Sequence, residues 1–411
     1  MTDHGPTDSV SKRRVFYIPG YDPIHPRRYR ELYRKEGAAQ ADISGYELGI
    51  EPKRKSATFG WHAKAVIDAR HIEADIDVLI WSDIVRESMD GSILQTYVSL
   101  IRTAWVYIST GALRRLMWLR KGPVIAALYP VGMLLLQLVI AFAVGATILA
   151  ILKGFLTPLI GPAGEVIAGV AGILAFIAIL RWFKSKDNRF FAYYLMHDYS
   201  YSARWRGANP APLEARLGAF ADQIAEALRT DVDEVLVVGH SSGAHLATSI
   251  LADLLRSGRV PNEGPHLAFL SLGQVVPMVS FLPYATRLRG DLAYLSTQDR
   301  LTWVDITAPG DGCAFALCDP VAVSGVAPDG QRWPLVVSAA FTQTLKPETW
   351  KALRWRFFRL HFQYLCAFDN PGDYDYFKIT CGPKPLSERY FGRKPSKNRI
   401  TIPASKYTSV A

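Results

Sequence analysis

The hydrophobic positions along this chain fall into two regimes. Up to residue 90, and again from 211 onward, short apolar runs alternate with stretches in which apolar residues recur every three or four positions. Between them, from 91 to 210, long stretches are almost continuously apolar. The outer segments predict strands and helices in alternation. Arg14–Ile18, residues 58–67 and residues 72–80 are β-rich runs, and about Pro26–Glu36 carries a helical pattern. After the middle region, Leu213–Arg229 has helical periodicity behind Pro212, and His245–Leu255 returns to helical spacing. Between those two helices Val235–Val238 is a continuous run of valine and leucine, as a strand buried on both faces requires. Leu267–Leu272, Thr302–Ile306 and Pro334–Val337 are further strands. Strands alternating with helices predict an α/β fold with a mostly parallel sheet and helices on both faces.

The middle region obeys a different rule. Residues 122–152 contain no charge, and residues 154–180 contain only Glu165. About 20 apolar residues cross the hydrocarbon core as a helix, so the pattern predicts two spans, about 123–152 and 155–182. They form a helical hairpin with a turn around Lys153–Pro162. Glu165 is expected near an interface or facing the partner helix. Arg114, Arg115, Arg120 and Lys121 precede the first span; Arg181, Lys184, Lys186 and Arg189 follow the second. Positive flanks stay on the cytoplasmic side. Both outer segments, 1–90 and 211–411, are therefore expected in the cytoplasm as halves of one domain, with 91–210 as its insertion. In a bacterium the membrane would be the inner one. Residues 94–119 are aromatic and apolar, fitting either an interfacial helix or a helix packed on the domain. Residues 190–205 have the aromatic content of a membrane-interface belt.

Charge changes this picture little. The 411 residues carry 47 Lys and Arg against 37 Asp and Glu, a net +10. The basic flanks account for much of that excess, because such residues attract anionic headgroups. No RNP-like, zinc-finger or basic-zipper pattern accompanies the charge, so nucleic acid is not expected as a partner. Protein partners are not legible. The polar N-terminal stretch MTDHGPTDSVSKRR has no apolar run and does not read as a secretory signal. Cys313, Cys318, Cys366 and Cys381 have neither zinc-site nor disulfide-framework spacing and are expected as reduced, mostly buried thiols. Neither a phosphate-binding loop motif nor an H-E-x-x-H motif is present, so no cofactor or metal is expected.

One motif carries chemistry. Gly239-His240-Ser241-Ser242-Gly243 fits G-x-S-x-G, with a buried strand before it and an amphipathic helix after it. The turn between them must be sharp, and side chains at Gly239 or Gly243 would strike neighbouring backbone. The stretch VLVVGHSSGAHLA resembles the nucleophile elbow of the α/β-hydrolase superfamily, with its lipases, esterases and peptidases. The resemblance covers the strand–elbow–helix well and the remainder only by order of elements. It implies an α/β-hydrolase sheet interrupted by the membrane hairpin. It also implies Ser241 as nucleophile, with the Ser242 N–H as one oxyanion donor. The family orders its triad serine, acid, histidine. His361, in RWRFFRLHFQYL, is late enough to be the base; His245 lies in the elbow helix and His266 precedes any acid. Asp311, in a Pro-Gly-Asp-Gly loop after a late strand, is the acid, with Asp319 as the alternative. Asp305 lies inside the strand pattern. Pro19-Gly20-Tyr21 follows an early strand, and the Tyr21 N–H is the candidate second oxyanion donor, although the His-Gly-Gly pattern of many lipases is missing there. His197-Asp198, beside the membrane flank, reads as structural or interfacial.

These residues predict a membrane-anchored serine hydrolase acting on an acyl ester, its location favouring a lipid or amphiphilic substrate. An acyltransferase using the same triad and a hydrolase-like scaffold without activity are the alternatives. Transport through a path lined by Glu165 would require several copies of a two-span chain.

Overall fold

The computed structural model describes residues 9–53 and 58–411. They form an α/β structure around one eight-stranded sheet. The strands are β1 (Lys12–Ile18), β2 (Glu47–Pro52), β3 (Gly60–Ile67), β4 (Arg70–Val78), β5 (Glu234–His240), β6 (His266–Leu272), β7 (Thr302–Thr307) and β8 (Leu335–Ser338). Their order across the sheet is β2-β3-β4-β1-β5-β6-β7-β8. From β4 to β8 every pairing is parallel; β2 and β3 add an antiparallel edge.

Burial explains which segments became strands. All seven residues of β5 are buried, as a central strand covered on both faces must be. Its register sets Ile18 of β1 opposite Gly239. The chain runs from β1 towards β4 on one side and from β5 towards β8 on the other. The crevice at the carboxyl ends of β1 and β5 is thus the topological switch point, where open α/β sheets bind ligands. The edge strand β2 was not expected. Its sequence, ELGIEP, is short and charged with four of six positions exposed, so only Leu48 and Ile50 hint at a strand and no apolar run marks it. The first helix, Arg27–Ser44, runs beyond Glu36 and through Gly37. A Cβ at Gly37 would lie 2.8 Å from Leu48 and 3.1 Å from Phe377, so the glycine permits close packing there.

The chain forms two compact units. One comprises the residues up to Arg86, Thr110–Val124 and Trp205–Ala411, and holds the whole sheet; the other comprises Glu87–Ser109 and Ile125–Arg204. Thus 110–124 and 205–210, read from sequence as part of the insertion, belong with the sheet.

Two helices, Lys121–Ile160 and Pro162–Ser185, are long and apolar enough to cross a membrane. The turn between them is tighter than Lys153–Pro162. The first helix continues to Ile160; Gly161 reverses the chain at φ 60°, and Pro162 opens the second helix. Proline suits that first position because its missing N–H would have had no helical partner. Close packing holds the hairpin: a Cβ at Gly145 would lie 2.8 Å from the Gly172 carbonyl oxygen, and one at Gly172 would lie 2.9 Å from that of Gly145. Near the turn, Lys153 and Glu165 pair at 3.1 Å. In the same unit, helices Ile93–Ser109 and Ala192–Arg204 pack through Leu100, Tyr193 and Met196. His197 Nε2 lies 3.4 Å from Thr96 Oγ1 there, a structural contact.

Candidate active site

The site grows out of the carboxyl ends of β1, β5, β6 and β7. After His240 the chain turns at Ser241, which has φ +57°, and the helix Gly243–Arg256 begins two residues later. A non-glycine residue in the left-handed region stores strain that its surroundings must hold in place. Two hydrogen bonds do so. Ser241 N–H donates to the Leu272 carbonyl at 2.9 Å, and its carbonyl accepts from Ala244 N–H at 3.1 Å. The two glycines also admit neighbouring backbone: a Cβ at Gly243 would lie 2.0 Å from the Ile18 carbonyl oxygen, and one at Gly239 would lie 2.7 Å from Ala244 Cα. Ser242 stands at the N-cap position of the helix without a side-chain cap bond, where backbone N–H groups lack intrahelical acceptors.

The loop after β1 closes on the same serine. A Cβ at Gly20 would lie 3.0 Å from Ser241 Cβ and 3.4 Å from Oγ, so a side chain there would crowd the serine. Trp81 Nε1–H donates to the Pro19 carbonyl at 3.0 Å, and the Tyr21 ring packs edge-on against Trp81. Tyr21 is thereby brought beside the elbow.

His361 ends the short helix Phe357–His361 and is buried. Its Nδ1 lies 2.7 Å from Asp311 Oδ2. Asp311 also accepts the Cys313 N–H at 2.8 Å and the Tyr364 hydroxyl at 3.0 Å. Burial alone would push this carboxyl up; the His361 charge and hydrogen bond, then Cys313 N–H and Tyr364, outweigh it and hold it below the usual carboxylate range. An ionised Asp311 only accepts, so Nδ1 carries the proton and Nε2 is left basic.

The elbow and the His–Asp pair meet through their neighbours. The His240 ring lies 4.9 Å from that of His361, and His240 Nε2–H donates to the His361 carbonyl at 3.0 Å. Gly273, which follows the residue that anchors Ser241, would carry its Cβ 3.1 Å from His361 Cε1. Among the described residues no hydrogen bond joins Ser241 Oγ to His361. Such bonds are commonly long before substrate arrives and tighten around it.

The alternative acid sits elsewhere. Asp319 caps a helical turn through Val321 N–H and Ala322 N–H at 3.0 and 3.1 Å, and its other oxygen accepts from Gln331 at 2.9 Å. Asp305 lies in β7 beside Ser271, whose hydroxyl donates to it at 2.6 Å. Burial pushes the Asp305 carboxyl up to about 8, and the Asp319 carboxylate adds to the rise. Its folded value exceeds its unfolded value, so it weakens the fold progressively as pH rises between about 4 and about 8. Asp305→Asn is expected to gain stability over the parent by about 1.4 kcal/mol per pH unit across that window, read by unfolding at pH 5 and pH 7.5; a constant difference would refute it.

Two residues of the site were not singled out from the sequence, His240 and Tyr364. Tyr364 lies three residues beyond His361, and its hydroxyl accepts the Ala308 N–H at 3.0 Å while donating to Asp311. His240 is the variable position of the motif; burial, then the charge of His361, lowers it to about 3, which keeps it neutral and able to donate. Asp311, Cys313 and His361 also bring a carboxylate oxygen, a thiol and a ring nitrogen within 4.8 Å of one another. A metal ion there would have to replace the His361–Asp311 hydrogen bond, so the donor set fits a proton-handling pair better. All four cysteines are free; Cys318 and Cys381 are buried, Cys313 and Cys366 half-buried.

No protein-family model, curated protein or solved structure matches this chain.

Proposed function

We propose that the chain is a membrane-anchored serine hydrolase of the α/β-hydrolase type. The observation that carries this reading is the buried His361–Asp311 pair at 2.7 Å, set against an elbow whose Ser241 has φ +57°. Ser241 Oγ attacks the ester carbonyl carbon while His361 Nε2 takes its proton. The Tyr21 and Ser242 N–H groups hold the oxyanion. The carbon–oxygen bond to the alcohol breaks, and His361 returns the proton to that leaving group. Water, deprotonated by His361, then attacks the acyl-enzyme; the carboxylic acid leaves and Ser241 recovers its proton. Asp311 holds the imidazole tautomer throughout, and Tyr364 and the Cys313 N–H hold Asp311.

Two apolar helices in the chain and basic residues at both their flanks support a bilayer location with the sheet unit in the cytoplasm. That location favours a lipid-derived or other amphiphilic ester. The test is turnover by the full chain in lipid vesicles. Long-chain amphiphilic esters are expected to be cleaved faster than soluble short-chain esters; the reverse preference would refute the substrate class. An acyltransferase shares every step up to the acyl-enzyme, and product analysis with added alcohols separates the two.

Tyr364→Phe removes one hydrogen bond to Asp311 and leaves the buried Ala308 N–H without its acceptor. A loss of about tenfold in acylation rate, or about 1.4 kcal/mol, is expected, together with measurable destabilisation. An unchanged rate would remove Tyr364 from the site.

A further inference from the structure

We infer that residues 354–359 form a second membrane contact that docks the sheet unit on an anionic bilayer beside its His–Asp pair. The six residues Arg-Trp-Arg-Phe-Phe-Arg are exposed in succession, between buried Leu353 and buried Leu360. Trp355 is 72% exposed, Phe357 44% and Phe358 39%. Three large aromatics within four residues at this exposure are costly in water. Tryptophan and phenylalanine interleaved with arginine are suited instead to a headgroup layer, where rings enter the acyl boundary and cations meet lipid phosphates. Lys351 adds a fourth cation, and no acidic residue lies between Lys351 and His361. This charge favours an anionic lipid surface, because the aromatic rings are interleaved with arginines and no acidic residue stands among them.

Continuity with the start of the first apolar helix supports the same occupant. A Cβ at Gly312, next to Asp311, would lie 3.0 Å from Phe357 Cδ1. A Cβ at Gly122, in the first turn of the helix Lys121–Ile160, would lie 3.3 Å from the Gly312 carbonyl oxygen. Arg120 donates to the Ala316 carbonyl at 2.6 Å in the same loop. The start of the first apolar helix and the aromatic patch therefore meet on one loop of the sheet unit, the loop that carries Asp311. A surface at that place would admit an acyl chain from the bilayer towards the site, which rests on the hydrolase reading; the docking itself does not.

The test places a photoreactive residue in the full chain, as Trp355→p-benzoylphenylalanine, in vesicles of phosphatidylcholine with phosphatidylglycerol. Phe391→p-benzoylphenylalanine, at a still more exposed ring outside the patch, is the reference. Several-fold more lipid adduct at 355 than at 391 is expected, falling several-fold when Arg354, Arg356 and Arg359 are all changed to Gln. Equal adduct yields at the two positions would overturn the inference. A serine-directed fluorophosphonate read in the same samples keeps the two ideas separate. Adducts at 355 without serine labelling would support docking and sink the hydrolase reading. Equal adducts with serine labelling intact would sink docking alone.

Discussion

Asp311→Asn is expected to lower the rate of Ser241 acylation about ten-thousand-fold while leaving the fold in place. The size follows from the proton inventory around the carboxyl. Asp311 accepts the Cys313 N–H on Oδ1, and His361 Nδ1 and the Tyr364 hydroxyl on Oδ2. An asparagine must keep its oxygen towards Cys313 N–H, which turns its NH2 towards His361. That amide donates, so Nδ1 has to give up its proton and Nε2 has to carry it. The imidazole then points an N–H at Ser241 and cannot act as a base. Asp319→Asn should instead leave the rate unchanged, because Asp319 serves a helical turn and Gln331, and asparagine caps almost as well. Fluorophosphonate labelling rates of the two variants make the comparison, and equal losses in both would contradict the assignment of Asp311.

Gly243→Val has the second large expected effect, this time on structure. Even a methyl group would lie 2.0 Å from the Ile18 carbonyl oxygen and 2.8 Å from that of Pro19, both backbone atoms of β1 and its loop. Neither can turn aside as a side-chain end would. The helix must move away from β1, or β1 from β5, and either breaks the crevice that holds Ser241. A cost of about 3 kcal/mol or more is expected, with loss of serine labelling even in the fraction that stays folded. Unfolding curves checked alongside labelling decide this: a variant as stable and as reactive as the parent would mean that the elbow is not built as described.

The contrast between these residues shows what was legible in the sequence and what was not. The central strands announced themselves because burial on both faces forces a continuous apolar run, as in Val235–Val238. The elbow glycines were legible because a tight strand–turn–helix connection excludes side chains at fixed spacing. The exposed edge strand Glu47–Pro52 left no such trace, since four of its six positions answer to solvent. Lys153–Ile160 was read as turn because it carries a lysine and a proline, but Gly161 and Pro162 set the actual reversal. His240 and Tyr364 could not be singled out for another reason. Their roles depend on tertiary approach: His240 meets His361 across 121 residues of chain, and Tyr364 meets Asp311 across 53. The choice between Asp311 and Asp319 was open in the sequence for the same reason, as both follow β7 in turns rich in glycine and proline. The 2.7 Å contact with His361 is what favours Asp311 in the proposed triad.

The most direct test of the central proposal is fluorophosphonate labelling of the full chain in membranes, comparing the parent with Ser241→Ala and Ser242→Ala. The hydrolase reading predicts one labelled serine, with labelling abolished in Ser241→Ala and retained in Ser242→Ala, whose backbone N–H survives the substitution. A folded parent that takes no label, or a Ser241→Ala variant that labels as well as the parent, would contradict it.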